Sequence, residues 1–111
     1  MRNGKMTLSE ITRELGFREK LPGTELLRRA IAQYEPGQRM TKEVYPAIAR
    51  AAGTTPAGVE RTMRYAIEDA WLHGSMEAQR QVFGASINPA KGRPTVSEFI
   101  AAVWHFWGGE A

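Results

Sequence analysis

Hydrophobic residues recur at helical spacing between Pro56 and His73, in the middle of the chain. At about 100° per residue, one side of this segment collects Val59, Met63, Ala66, Ile67 and Ala70. Thr55 can cap the first turn with its hydroxyl, and Pro56 suits a first helical position, where no N–H is needed. The pattern predicts a helix over 56–73 with one face in a core. Gly74 is expected to end it in the left-handed conformation.

The opposite side of the same segment is polar. It carries Ala57, Arg61, Arg64 and Glu68, with Glu60 on its flank. One interpretation is a solvated face with two i,i+4 ion pairs, Glu60–Arg64 and Arg64–Glu68, worth only about 0.2–0.5 kcal/mol each. The other is a surface that contacts a partner such as DNA. This helix alone leaves both open.

A shorter helix is predicted just before it, over 41–52, where Val44, Ile48 and Ala52 are four residues apart. Gly53 ends this helix before the Thr54-Thr55 turn. Pro46 lies inside it and predicts a bend near Tyr45.

Together the two segments predict a helix-turn-helix over 41–73. In such units a small residue in the first helix, a glycine in the turn and an aliphatic residue early in the second helix allow a close crossing. Ala49, Gly53 and Val59 occupy these places. The second helix, 56–73, would then be the recognition helix in the major groove.

The rest of the chain also predicts helices. Two capping boxes, Thr7-Leu8-Ser9-Glu10 and Thr95-Val96-Ser97-Glu98, each open a helix. Further helices are predicted over 23–34 and 75–83, and a glycine- and proline-rich loop over 84–94 carries Lys91 and Arg93. We therefore predict an all-α fold of five to six helices, forming one domain over residues 1–111.

Composition narrows the function. With 42% hydrophobic and 24% charged residues, the chain is typical of a globular protein. It has no cysteine and two histidines far apart, His73 and His105, so no metal site and no cofactor are predicted. Glu60 and Glu68 lie on an arginine-flanked face with no nucleophile–base pair, and no enzyme is predicted.

Charge and hydropathy bear on partner and location. The net charge of +3 favours a polyanionic partner mildly. The chain has no run of about 18 apolar residues, so no membrane span is predicted. Its polar N-terminus does not resemble a signal sequence. We expect a cytoplasmic protein.

Several short blocks, in order from about Leu8 to Val103, resemble the C-terminal DNA-binding domain of the sporulation master regulator, stage zero sporulation protein A. They are Val44–Ala49, Thr54-Thr55, Val59–Arg61, Arg64, Ala66–Glu68, Ala70-Trp71, Phe83-Gly84, Lys91, Pro94-Thr95 and Ser97–Ala101. The resemblance implies a six-helix effector domain that binds TGTCGAA-like boxes in double-stranded DNA and regulates transcription in sporulation. A proline in the first helix of the motif also fits this family.

The resemblance also implies roles for residues. The base-contacting positions are Glu60, Arg61 and Arg64. Arginine can donate two hydrogen bonds to guanine, and glutamate can accept one from cytosine, so these types suit a box with C·G pairs. The positions expected to contact the DNA backbone or to flank the base contacts are Thr54, Thr55, Gly58, Glu68, Lys91, Arg93 and Ser97.

The chain departs from the family in three respects. Its 111 residues leave no room for the receiver domain, so we expect no control by phosphorylation in cis. Gly58 replaces an expected basic residue and Tyr65 an expected histidine, which predicts altered affinity or box preference. The C-terminus is unusually aromatic, with Trp104, Phe106 and Trp107.

These aromatic residues are more often core groups, but exposed they would form a patch for a partner. A homodimer on tandem sites, RNA polymerase or a full-length regulator are the candidates. The alternative hypothesis is therefore an interaction module or a competitor of a full-length regulator, with weak or lost DNA binding.

Overall fold

The computed structural model describes residues 6–84 and 92–108, and this part of the chain is all helical. Its α-helices are α1 (Leu8–Glu14), α2 (Pro22–Gln33), α3 (Tyr45–Ala52), α4 (Pro56–His73), α5 (Met76–Phe83) and α6 (Val96–Trp107). The predicted all-α class is confirmed, and α4 has the predicted bounds. Within the described ranges, no helix is both long enough and apolar enough to cross a membrane.

The helix predicted over 41–52 consists of two pieces. A π-helical turn, Met40–Val44, runs directly into α3, and the Tyr45 N–H donates to the Met40 carbonyl. Pro46 is therefore the second residue of α3, in the first turn of an α-helix, where proline is tolerated. At Tyr45, where Pro46 predicted a bend, the structure changes from π to α geometry, and the bend itself stays a prediction.

The core is organised around α4, which packs against α2, α3 and α6. Its five predicted inward residues, Val59, Met63, Ala66, Ile67 and Ala70, are all at most 1% exposed. Next to them is an aromatic cluster, in which the ring centroid of Phe99 lies 5.2 Å from Phe17 and 5.6 Å from Phe83. The five predicted inward residues of α4 are thus enclosed, while Tyr65 and Leu72 of the same helix stay exposed.

Two close backbone approaches hold α4 against its neighbours. A Cβ on Gly23 of α2 would clash with the Thr62 carbonyl of α4 and lie 2.8 Å from the Ala66 Cβ. A Cβ on Gly74 would clash with the Leu15 carbonyl. Glycine at these positions lets α2 and the end of α1 approach α4 closely.

The predicted conformation of Gly74 is wrong. Its backbone is extended, with φ −84° and ψ 172°, and not left-handed. Gly74 is required instead by the close contact with Leu15, which leaves no space for a side chain. The left-handed glycine at this contact is Gly16, with φ +97°.

We expect Gly23→Ala to lower the free energy of unfolding by about 1–3 kcal/mol, because the added methyl group meets the α4 backbone and α4 must move. Urea unfolding followed by circular dichroism measures this. The matched change Gly58→Ala lies inside α4, where the new Cβ meets only two threonine hydroxyls at 3.1 Å. It should be neutral or stabilising by up to about 1 kcal/mol. Equal effects of the two variants would contradict the close α2–α4 crossing.

Candidate nucleic-acid interface

The turn between α3 and α4 fixes where the outer face of α4 begins. Gly53 ends α3 in the left-handed conformation, with φ +72°. The Thr55 hydroxyl then accepts a hydrogen bond from the Gly58 N–H at 3.0 Å, which caps α4. Ala49 and Val59, 2% and 0% exposed, are buried on the inner sides of α3 and α4. The two helices and their turn thus have the arrangement predicted from the sequence.

The outer face of α4 presents the three residues predicted to contact bases. Arg61 and Arg64 are exposed, and Glu60 is half-buried beside them. The Arg64 Nη1 donates to the Glu60 Oε1 at 2.9 Å, so the first predicted ion pair is confirmed. Arg61 makes no hydrogen bond or ion pair that the described residues show, and its guanidinium is available to a ligand.

The second predicted pair, Arg64–Glu68, is wrong. Glu68 instead accepts a hydrogen bond from the Nη2 of Arg93, at 2.8 Å. Arg93 precedes α6 and is 25 residues away in sequence. Because Arg64 pairs with Glu60, the Glu68 carboxylate pairs with an arginine from outside α4, Arg93. The charged face of α4 is therefore connected to the segment that leads into α6.

A first groove separates the start of α4 from the π-helical turn. Its volume is about 410 Å³, and it is lined by Thr41, Tyr45, Pro56, Ala57, Glu60, Arg61 and Arg64. Burial, and secondarily the Glu60 carboxylate, raises the pKa of Tyr45 to about 12. The Tyr45 phenol is therefore neutral at physiological pH. The groove combines aromatic and aliphatic walls with two arginines at its edge.

A second groove lies on the other side of Glu60 and Arg64. It has a volume of about 400 Å³, and its opposite wall is formed by residues 92–96. In that wall the Thr95 hydroxyl accepts from the Glu98 N–H at 3.1 Å, while the Thr95 N–H donates to the Glu98 carboxylate at 2.9 Å. This capping box, predicted from the sequence, fixes the start of α6 next to α4. Ser97 has its Oγ 3.3 Å from the Thr95 hydroxyl.

The other described residues predicted to contact the DNA backbone lie at the start of α4, just before α6 and at the start of α6. Thr54 and Thr55 are exposed at the start of α4, and Gly58 is half-buried behind them. Arg93 lines the second groove, and Ser97 lies beside Thr95 of its wall. Lys91 and most of the predicted 84–94 loop lie outside the described residues. Of the described members of the predicted set, Glu60, Arg64 and Arg93 line one groove together.

The aromatic residues near the C-terminus line neither of these two grooves. Trp104, Phe106 and Trp107 are half-buried and pack against the core. Trp104 meets the ring of Tyr34 edge-on, with centroids 5.7 Å apart. The large hydrophobic side chains that are exposed in the described part are instead Tyr65, Leu72 and Met76. A partner patch at the C-terminus stays a prediction.

Sequence reasoning missed the contact that anchors the far half of α4. Asp69 is only 7% exposed, and Arg18, in the α1–α2 connection, donates to both carboxylate oxygens at 3.0 and 2.6 Å. These hydrogen bonds lower the pKa of Asp69. The His73 Nδ1 lies 2.9 Å from the Asp69 carbonyl. The signal in the sequence was an acidic residue directly beside the buried stripe of α4.

The family model for the C-terminal domain of the sporulation initiation factor Spo0A matches residues 8–106. This match spans most of the chain, and the chain belongs to that family of DNA-binding, transcription-regulating sporulation domains. The matched region contains all six helices except the last residue of α6.

We expect Asp69→Asn to lower stability at neutral pH and to flatten its decline in acid. Because Arg18 holds the pKa of Asp69 below its usual 3.8, the carboxylate stabilises the fold above the unfolded-state value. That contribution disappears as the pH falls through the lower folded-state pKa. Urea unfolding between about pH 5 and about pH 2 measures the effect.

Glu19→Gln is the matched control for Asp69→Asn. Arg28, as the main cause, lowers the pKa of Glu19 to about 2, so Glu19 contributes to the same acid decline without touching α4. Each variant should remove its own share of the decline. An Asp69→Asn curve parallel to that of the unmodified chain would contradict the anchoring role.

Proposed function

We propose that this domain binds double-stranded DNA sequence-specifically, with α4 in the major groove as the recognition helix of a helix-turn-helix. One observation carries the proposal. The five inward residues of α4 are enclosed, so the helix face from which Arg61 and Arg64 project toward a partner is fixed. Membership in a family of DNA-binding regulatory domains supports the same conclusion.

The outer face of α4 offers chemistry for reading a G·C base pair. The guanidinium of Arg61 has its donors available and can donate two hydrogen bonds to guanine O6 and N7. Glu60 can accept from cytosine N4 while it orients Arg64 through their 2.9 Å hydrogen bond. We infer a TGTCGAA-like box, which presents such base pairs, as the target.

Backbone contacts are assigned to residues at the edges of the face. Thr54 and Thr55 at the start of α4, and Ser97 at the start of α6, can donate hydroxyl hydrogen bonds to phosphate oxygens. Lys91 is assigned to the same task on the basis of the family resemblance. Contacts of this kind fix the orientation of the protein on the duplex without specifying sequence.

Two neighbouring positions bear on which box is preferred. Gly58 places no side chain on the start of α4, so a contact from this position is absent on the DNA side. Tyr65 is 57% exposed, four residues after Arg61 on the same side of α4. A tyrosine there offers an aromatic ring and a hydroxyl. We infer that flanking base preference differs at these two places from that of family members with basic residues.

Assembly on DNA is a further part of the proposal. Binding to tandem boxes as a homodimer, or contact with RNA polymerase or a full-length regulator, would use surfaces away from α4. The half-buried state of Trp104, Phe106 and Trp107 limits the apolar area that these residues offer. We therefore favour DNA binding over the alternative of an interaction module.

We expect Arg61→Ala and Arg64→Ala each to weaken binding to a TGTCGAA-like duplex by about 1–3 kcal/mol, and to relax the preference at one box position. The physical reason is the loss of hydrogen bonds to a base edge. Fluorescence anisotropy with the box, single-base variants and a scrambled duplex, at one fixed salt concentration, measures both effects.

Arg29→Ala is the matched control for these variants. Arg29 is an exposed arginine on α2 in a comparable i,i+4 pair, 3.7 Å from Glu25. Its replacement should leave affinity and preference unchanged. Unaltered box preference in the Arg61→Ala, Arg64→Ala double variant would refute base contact by α4.

A further inference from the structure

The ion pair between Glu68 and Arg93 connects two elements that both border the proposed DNA-binding surface. Glu68 projects from the outer face of α4, and Arg93 belongs to the extended segment before α6. Their side chains are 38% and 50% exposed, and the Nη2–Oε2 distance is 2.8 Å. The contact thus joins α4 to the segment before α6, whose Arg93 also lines the second groove.

We propose that Glu68 is a positioning residue for DNA binding, and that Arg93 is held by Glu68 instead of contacting a phosphate. This inference rests on the proposed function and deepens it. It departs from the role that the sequence alone predicts for Arg93, namely a backbone contact.

The geometry of the second groove supports the positioning role. One wall carries Glu60 and Arg64, and the other carries Arg93 and Thr95. The capping box of Thr95 fixes the start of α6 internally, but it does not connect α6 to α4. The Glu68–Arg93 bond makes that connection on the exposed side. It therefore ties the segment before α6 to the base-contacting face, near the Ser97 hydroxyl that is proposed to contact phosphate.

The charge distribution supports the second half of the proposal. A lone exposed ion pair adds little to stability, so the main effect of this pair is on binding. Paired with a carboxylate, Arg93 contributes no net charge where a duplex would lie. Each additional free cation at a DNA surface adds sequence-independent affinity through counterion release. Glu68 thereby keeps non-specific binding low while it orders the groove.

The test compares the unmodified chain with Glu68→Gln and Arg93→Gln. Anisotropy titrations against a TGTCGAA-like duplex and a scrambled duplex, over a series of salt concentrations, give the affinity ratio and the salt slope for each protein. Glu14→Gln is the control for the change in charge. Glu14 is an exposed carboxylate at the end of α1, lining a pocket with residues of α5 and α6, away from the second groove.

Both variants should lower the ratio of box to scrambled affinity, but by different routes. Glu68→Gln releases Arg93, so binding to scrambled DNA tightens. The slope of log affinity against log salt concentration steepens by about 0.9, so the affinity falls about threefold further between 50 and 200 mM salt. Arg93→Gln breaks the connection without freeing a cation. It should weaken box binding and leave the scrambled salt slope unchanged. Glu14→Gln should change neither quantity.

Two results would overturn the inference while leaving the proposed function intact. A salt slope reduced by about one in Arg93→Gln would mean that Arg93 touches a phosphate after all. Glu68→Gln behaving like Glu14→Gln would remove the positioning role. If the unmodified chain itself shows no preference for the box, the proposed function fails, and that outcome is visible before any variant is compared.

Discussion

The burial of one face of α4 is the constraint on which the rest of the molecule depends. Five apolar side chains of this helix are enclosed. Glycines also allow close backbone contacts, at Gly23 between α2 and α4 and at Gly74 between the end of α4 and Leu15. A helix held this tightly cannot rotate about its axis without opening the core. The side of the molecule that its outer residues face is therefore fixed by packing before any ligand is bound. The backbone of this surface needs no ordering on binding, whereas the exposed side chain of Arg61 does.

Electrostatics then organises the surface that packing exposes. Although the chain carries a net charge of +3, the outer face of α4 alternates acid and base. Arg64 is oriented by Glu60, Arg93 is held by Glu68, and Arg61 shows no partner among the described residues. Such a face has fewer free cations than a count of arginines indicates. Its specificity is expected to depend on the direction of hydrogen-bond donors more than on overall positive charge.

The sequence predicted those features that depend on neighbours within a few residues. The period of apolar residues in α4 and the capping boxes at Thr7 and Thr95 are local, and all are found in the structure. The errors and omissions involve partners distant in the chain. Glu68 takes Arg93, Asp69 takes Arg18, and Gly74 meets Leu15, none of which a helical projection can show. The candidate site was found because its members lie on one helix, whereas its connections to other elements required the fold.

The central claim is that the outer face of α4 contacts base edges in the major groove. Replacing guanines of a TGTCGAA-like box by 7-deazaguanine removes the N7 acceptor that faces this groove, and inosine removes the amino group that faces the minor groove. The account predicts that 7-deazaguanine weakens binding about fivefold or more, since losing a base contact costs about 1 kcal/mol or more of binding free energy. Inosine should have little effect. Binding that is insensitive to 7-deazaguanine, or that depends on the minor-groove amino group, would contradict it.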